Sequence, residues 1–215
     1  MRTASTDPLP APETAVSELT PLAIAALALL NERPMHPYEM YQLLITRAED
    51  RLVKVRPGSL YHTVDRLTRE GLVESLGTDR EGNRPERTTY RITERGQLSL
   101  SERIAEMIAT PINEYNEFPL AIAEAHNLPK DILIELLGRR RVRLVSELKT
   151  LEGGYKDVVA KSIPRKFWID ITYQQAVINA EIAWLDDLAS QLNSGELDWS
   201  DEKPQKESPH DPRNN

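Results

Sequence analysis

The segment from Val55 to Glu74 constrains the fold of this chain more than any other. Pro57 suits the first turn of a helix, and Ser59 can cap one. Apolar residues then recur at helical spacing, at Leu60, Val64 and Leu67. Gly71 predicts the end of this helix, because glycine readily adopts the left-handed conformation that terminates helices. A strand is predicted to follow it directly.

The other face of this predicted helix is polar and cationic, with Ser59, Tyr61, His62, Thr63, Arg66 and Arg69. A short helix with an apolar back and such a front fits the major groove of DNA, where side chains meet base edges. An ordinary amphipathic surface helix is the alternative interpretation. The segments on either side of the helix bear on that choice.

Two helices are predicted before this segment. Thr20-Pro21 has the pattern of an N-cap and a first helical residue, and the apolar run after it predicts a buried helix. A second helix is predicted to begin at His36 or Pro37. A short basic link that contains Lys54 then leads into the third helix.

A β-hairpin is predicted after the third helix. Its strands are residues 72–76 and 88–93, and the connection from Gly77 to Arg87 contains Arg80, Arg84 and Arg87. Three helices followed by such a hairpin form a winged helix-turn-helix, in which the hairpin tip reaches the flanking DNA backbone. A solvated charged turn is the alternative for this connection.

The charge distribution fits a local nucleic-acid interface better than the whole-chain charge does. The chain carries a net charge of −7. Residues 51–95 nevertheless hold ten Lys and Arg against seven Asp and Glu, a local excess of three positive charges. A basic module on an acidic body can still bind phosphate, because the field near the contact decides.

Three motifs resemble the PadR family of bacterial transcriptional regulators: GSLY at Gly58–Tyr61, LTREGL at Leu67–Leu72 and YRITERG at Tyr90–Gly96. The resemblance is strong over residues 19–96 and weaker beyond them. It implies a dimeric winged-helix repressor, and some members respond to small molecules. It also implies DNA-face positions for Tyr61 and Tyr38 and basic wing positions at Arg84 and Arg87.

Together, these arguments predict DNA contacts by Tyr38, Lys54, Ser59, Tyr61, His62, Arg66, Arg84 and Arg87. Arg66 is expected to read bases, because Arg to guanine is the commonest specific contact. Arg84 and Arg87 are expected to fix position and to supply salt-dependent affinity. The expected partner is double-stranded DNA with a near-palindromic operator.

The C-terminal half has helical patterns throughout, and its last helix is strongly apolar from Phe167 onward. A homodimer interface is predicted from its stripe and from the first helix, at Leu22, Leu27, Trp168, Ile171, Ile178, Ile182, Trp184, Leu185 and Leu188. A helical bundle within one chain is the alternative. Trp168, Tyr173 and Trp184 are further candidates for binding a small aromatic effector, with simple packing as their alternative role.

The arginines Arg139–Arg141 and Arg143 lie on a helix whose apolar stripe interrupts them. A solvated face or ion pairs between subunits is predicted for them, rather than a second nucleic-acid site. Gly153-Gly154 is expected to weaken this helix.

The expected fold class is mainly α with a small β-hairpin wing. Its N-terminal winged helix-turn-helix spans residues 19–96 and its C-terminal helical dimerisation domain spans residues 97–193. Polar tails at 1–18 and 194–215 are predicted to be disordered.

Several functional classes are disfavoured by composition. The chain has no cysteine, and its four histidines lack the spacing of a helical metal pair, so no metal or cofactor is predicted. No nucleophile–base pairing or glycine-rich phosphate loop indicates an enzyme, so no catalytic residue is predicted. No signal peptide or membrane span is expected, which predicts a cytoplasmic protein. A winged-helix adaptor that binds protein instead of DNA is the alternative function.

Overall fold

The computed structural model describes residues 19–79 and 87–200, which divide into two compact units. The N-terminal unit extends to Ile112 and the C-terminal unit begins at Asn113. Because the division falls at 112/113, the helix that follows the hairpin belongs to the N-terminal unit, whereas the sequence had suggested a boundary near residue 96.

The N-terminal unit begins with three helices: α1 at Pro21–Glu32, α2 at Pro37–Thr46 and α3 at Pro57–Arg69. A 3-10 turn at Glu49–Arg51 lies between the last two. The Thr20 hydroxyl caps α1 by accepting from the Ala23 N–H at 3.3 Å, as the sequence predicts. A bidentate pair between Arg47 and Glu32, at 2.5 and 2.8 Å, joins the ends of α1 and α2.

The wing is an antiparallel hairpin of β1, Val73–Asp79, and β2, Arg87–Ile92. Val73 faces Ile92 and Ser75 faces Tyr90, after which a bulge shifts the register before Gly77. Met35 extends the hairpin edge by exchanging two backbone hydrogen bonds with Tyr90, at 3.0 and 3.1 Å. The connection between helices α1 and α2 is therefore fixed to the wing.

One apolar core unites α1, α2, α3, the wing and α4, which spans Glu94–Ala109. Its fully buried members include Leu27, Leu29, Met35, Met40, Leu44, Leu60, Val64, Leu67 and Leu72. The predicted stripe of α3 thus supplies core residues. Gly96 brings α4 so close to the wing that an added Cβ would lie 2.1 Å from the Leu72 carbonyl oxygen. Only glycine fits there.

The C-terminal unit contains α5 at Glu117–Ala123, α6 at Lys130–Ala160 and α7 at Ile169–Ser194. Short 3-10 turns at Ala125–Asn127 and Arg165–Phe167 precede the two long helices. The buried residues of α7 recur every seven positions, at Ile171, Ile178, Leu185 and Leu192. They pack in clusters with α6 residues such as Leu137 and Leu151. This heptad repeat is the pattern of a coiled-coil seam, closed here within one chain.

Ion pairs beside this seam explain two of the α6 arginines. Arg140 binds Glu181 and Arg141 binds Asp186, each at 2.5 Å from α6 to α7 of the same chain. The Arg140 guanidinium also lies 3.5 Å from the centre of the Phe118 ring. These contacts are intramolecular, where the sequence had suggested a solvated face or pairs between subunits.

Two local features differ from the sequence predictions. Helix α6 continues through Gly153-Gly154 without interruption. Leu197 and Trp199 pack against the apolar cluster of the C-terminal unit, and the Trp199 indole donates to the Leu128 carbonyl at 2.9 Å. Residues 195–200 are therefore ordered against the helices, although the sequence had assigned them to a disordered tail. Across the described ranges, every helix is too short or too polar to span a membrane.

Candidate nucleic-acid interface

The outward surface of α3 is a narrow stripe of exposed side chains. Successive residues of an α-helix are rotated by about 100°, so Gly58, His62, Asp65 and Arg69 lie opposite the buried Leu60, Val64 and Leu67. We call these four residues the outward stripe. A protein partner or a DNA groove that approaches α3 from solvent meets this stripe first.

Arg66 lies beside the outward stripe rather than on it. Its guanidinium pairs with Glu70 one turn later at 3.2 Å, and only 27% of its side chain is exposed. Sequence reasoning had assigned base reading to Arg66 from residue type alone. The rotation of the helix points His62 and Arg69 most directly outward, and Asp65, at the edge of the stripe, is exposed. Asp65 and Arg69 were not among the predicted site residues.

Ser59 does not cap α3, because the helix begins at Pro57 after Arg56 in the N-cap position. Ser59 instead lies inside the first turn, exposed, and its carbonyl accepts from the Thr63 hydroxyl at 2.8 Å. Its own hydroxyl remains a candidate for phosphate or base contact. Sequence reasoning missed the cap position because Ser is a common N-cap and Arg is not.

Tyr61 borders the outward stripe and forms a cluster with His36, whose ring it contacts, and Tyr90, whose hydroxyl it influences electrostatically. The rings of Tyr61 and His36 meet edge to face with centroids 5.7 Å apart. The Tyr90 pKa is raised, chiefly by burial and then by the nearby Asp65 carboxylate, with a further contribution from Tyr61. The cluster thus joins α2, α3 and the wing where they meet. In the sequence, the only indication of this cluster is Tyr90, the first residue of the third motif.

His36 caps α2 through its ring: Nδ1 accepts from the Tyr38 N–H at 3.1 Å. Burial lowers the His36 pKa, and the charge of Arg87 lowers it further, whereas Glu39 opposes the shift. The neutral ring is also the form that can accept at Nδ1. Tyr38 follows it with 44% of its surface exposed, 6.4 Å from the Tyr41 ring.

Most cationic candidates of the link and the wing are exposed, and one lies outside the described residues. Lys54 and Arg56 are exposed immediately before α3. Arg87 is exposed at the first position of β2, opposite Asp79 in the strand register. Arg84 lies outside the described residues. Lys54, Arg69 and Arg87 therefore supply exposed positive charge on the unit that carries the outward stripe.

The predicted dimer residues are mostly occupied within one chain. Leu27 is fully buried in the core of the N-terminal unit, and Leu22 packs half-buried against that core. The α7 stripe, Ile171, Ile178 and Leu185, is buried against α6, with Ile182 and Leu188 packed beside it. The prediction that these side chains cover a partner chain is wrong for Leu27, which the core of the N-terminal unit covers, and for the three buried α7 residues, which the intrachain seam covers.

The opposite side of α7 is the one that remains uncovered in the chain. It presents large apolar side chains that are 42–69% exposed, at Ile169, Tyr173, Val177 and Trp184. Ala176 and Ala180 lie between them and are exposed too. We call this surface the exposed α7 face. Trp184 of this face was predicted as a dimer residue, and Tyr173 and Trp184 as effector candidates, but the sequence pattern did not separate this face from the buried stripe.

The three aromatic residues proposed for an effector do not line one pocket of the chain. Trp168 packs edge to face on Tyr155 at 5.3 Å and donates to the Ile163 carbonyl at 2.9 Å. Trp184 packs on Phe118 at 6.2 Å. Trp168 and Trp184 are 16 positions apart, or about 24 Å along the helix at 1.5 Å per residue. Tyr173, 69% exposed, lies between them in sequence.

Three helices followed by an antiparallel hairpin, with an exposed polar stripe on the third helix, form the winged helix-turn-helix that the sequence predicts. Residues 26–102 match the model of the transcriptional regulator PadR-like family. The matched segment contains the three motifs on which the resemblance to this family rests. Members of this family are regulators and not enzymes. Within the described residues, no cluster of His, Cys, Asp or Glu could hold a metal ion.

Solved structures share the fold over most of the chain. Bacillus subtilis PadR in complex with operator DNA is 19% identical, with a TM-score of 0.68 over 80% of this chain and 98% of that one. The same B. subtilis protein in complex with p-coumaric acid is 19% identical, with a TM-score of 0.66 over 80% of this chain and 98% of that one. The PadR-like regulator BC1756 from Bacillus cereus is 16% identical, with a TM-score of 0.58 over 81% of this chain and 99% of that one. Comparison with curated proteins gave no match.

Proposed function

We propose that this regulator is a homodimeric repressor that binds a near-palindromic operator in the major groove and responds to a small aromatic effector. The observation that carries the DNA-binding part is the outward stripe of α3. It presents His62, Asp65 and Arg69 on a helix whose opposite side is locked in the core. A rigidly held polar stripe is what direct readout of base edges requires.

The flanking residues suit backbone contacts that hold the stripe in register. Lys54, Arg56 and Arg87 are exposed cations on the same unit, and Tyr38, Ser59 and Tyr61 are exposed hydroxyl donors. Such groups bind phosphate oxygens without reading sequence. Arg66 is proposed to act from the flank, where engaging DNA means leaving Glu70. Arg84, on the predicted wing tip, is proposed to add salt-dependent affinity.

Dimerisation is supported by the exposed α7 face. Four large apolar side chains and two alanines form one continuous side of a 26-residue helix. Exposed apolar surface of this extent indicates a protein interface, and a two-fold pair of chains would bury the same face on both. Two recognition helices about 34 Å apart would then read two half-sites, which predicts the near-palindrome.

The effector part of the proposal is supported by a structural neighbour, since B. subtilis PadR was crystallised with p-coumaric acid. Trp168 and Trp184 lie far apart, in different surroundings. We therefore propose that their fluorescence reports effector binding, and not that both indoles line one pocket. The repressor role rests on the resemblance to PadR. It fits a protein that blocks a promoter by occupying its operator.

Three variants test the DNA-binding part together. Arg69→Ala is expected to weaken binding to the operator by about 10-fold and to relax one base preference, because an arginine–guanine contact contributes about 1–3 kcal/mol. Arg87→Ala is expected to weaken operator and scrambled DNA alike. Arg95→Ala, an exposed arginine of α4 away from the stripe, is the matched control. Equal losses for all three variants would overturn the assignment of roles and favour the protein-binding adaptor.

A further inference from the structure

An acidic residue stands in the middle of the surface that is proposed to meet DNA. Asp65 is exposed on the outward stripe, between His62 one turn before it and Arg69 one turn after it. Phosphate groups repel a carboxylate, so Asp65 opposes the non-specific part of DNA binding. A residue that costs affinity at this position needs another role.

The structure offers Asp65 no structural role in its own domain. It is the ninth of the 13 residues of α3, in the C-terminal half, where the helix dipole gives a carboxylate no advantage. Among the described residues it makes no hydrogen bond and no ion pair, in contrast to Glu70, which binds Arg66 on the same helix. Its negative charge contributes to the raised pKa of the Tyr90 hydroxyl. The carboxylate therefore stays available to a group that arrives from outside.

The chemistry of the major groove limits what that group can be. An ionised carboxylate only accepts hydrogen bonds. Guanine presents two acceptors in the groove and thymine presents an acceptor and a methyl group, so both repel or ignore it. Cytosine presents the N4 amino donor without an adjacent acceptor on the same base, and Asp or Glu accepting from it is a recognised contact. Adenine offers a donor beside the N7 acceptor, which suits an amide better.

We propose that Asp65 determines sequence specificity by accepting a hydrogen bond from the N4 amino group of a cytosine in each operator half-site. This inference rests on the proposed DNA-binding function and deepens it. Gly58 supports a close approach of the helix, because it lies on the same stripe and leaves open space where a side chain would stand. Asp65 has a short side chain and depends on that approach.

The test selects binding sites from a randomised duplex library with four full-length proteins: wild type, Asp65→Asn, Asp65→Ala and the control Glu94→Gln. The control removes one exposed acidic charge from the same unit, on α4 instead of the stripe. Anisotropy titrations then measure single base-pair substitutions in the selected site. Circular dichroism and gel filtration establish that each variant is folded and of wild-type size.

The expected result is a selected site with a C·G pair in each half, at which substitution weakens wild type and Glu94→Gln by about 10-fold. Asp65→Ala should lose this preference, to less than about 2-fold. Asp65→Asn should shift it toward adenine, which an amide contacts with two hydrogen bonds. Both Asp65 variants should also bind unrelated DNA more tightly than the control, since a repulsive charge has left the DNA face.

Two results would overturn the inference, and they are distinguishable. If wild type selects a defined site and both Asp65 variants select the same site with the same base preferences, Asp65 reads no base while the proposed function stands. If wild type selects no site at all, the DNA-binding proposal fails and the role of Asp65 fails with it.

Discussion

Replacing Gly96 by alanine tests how the wing is fixed to the rest of the N-terminal unit. The added Cβ would lie 2.1 Å from the Leu72 carbonyl oxygen and 2.8 Å from Ile92 Cγ1. The Leu72 oxygen cannot swing away freely, because it accepts from the Thr93 N–H at 3.0 Å. The start of α4 must therefore move outward by about 1.3 Å to restore an ordinary contact, which begins at 3.4 Å.

The expected cost combines two terms. Overpacking of a tight contact costs about 1–3 kcal/mol. Moving α4 also weakens its cap, in which the Thr93 hydroxyl accepts from the Gly96 N–H at 3.1 Å, and lost caps cost about 1 kcal/mol. We expect Gly96→Ala to lower the free energy of unfolding of the N-terminal unit by about 3 kcal/mol.

Hydrogen exchange resolved by peptide is the assay, because buried amides of α1 and α3 report opening of this unit directly. Gly58→Ala is the matched control, since Gly58 is helical in the same unit and an added Cβ meets no atom within 4 Å. The control should keep or slightly raise protection, because alanine is the better helix former. Equal protection in Gly96→Ala and Gly58→Ala would refute the packing argument.

Further predictions concern the α2 cap, the exposed α7 face and the C-terminal segment. The His36 pKa is lowered from about 6.5 in the folded state, so the stability from its neutral cap is full above that pH and is lost as the pH falls below it. His36→Asn keeps a hydrogen-bond acceptor that does not titrate. Urea unfolding should therefore show a smaller loss of stability between pH 7.5 and 5.5 for this variant than for wild type. An identical loss of stability would contradict the role of His36 as a cap. Tyr173→Glu places a charge on the exposed α7 face and should weaken dimerisation by at least about 10-fold in analytical ultracentrifugation. The control Asn179→Glu, at the side of the same helix, should leave dimerisation unchanged. A dimer that neither variant weakens would show that this face is not the interface. Trp199→Phe loses the hydrogen bond to the Leu128 carbonyl and should lower the stability of the C-terminal unit by about 1 kcal/mol in urea unfolding, and an unchanged midpoint would mean that the segment adds nothing.

Much of the N-terminal fold could be predicted because local signals agree with tertiary packing. Thr20 and Pro21 mark the start of α1, and Gly71 adopts a φ of 71° at the end of α3 as its position predicts. The apolar spacing of α3 identified its buried side correctly. The cap by His36 is local but was not predicted, because histidine is not a common N-cap residue. The bridge between Met35 and Tyr90 could not be predicted, because it joins distant segments.

The site and the C-terminal half show where residue type misleads. Arg66 stays a predicted base reader, but its pair with Glu70 leaves only 27% of its side chain exposed, which residue type alone could not predict. The α7 stripe was predicted to face another chain because a small domain cannot cover it. Helix α6, whose own apolar positions are diluted by arginines, covers it instead.

The most direct test of the central claim is a fluorescence-anisotropy titration of the full chain against duplex DNA from its own promoter region, at 50 and 200 mM salt. The account predicts binding that resists unrelated competitor DNA and weakens about 10³-fold between the two salt concentrations, as expected when two chains each neutralise several phosphates. Binding that unrelated DNA displaces equally, or a folded dimer that does not bind DNA at 50 mM salt, would contradict it.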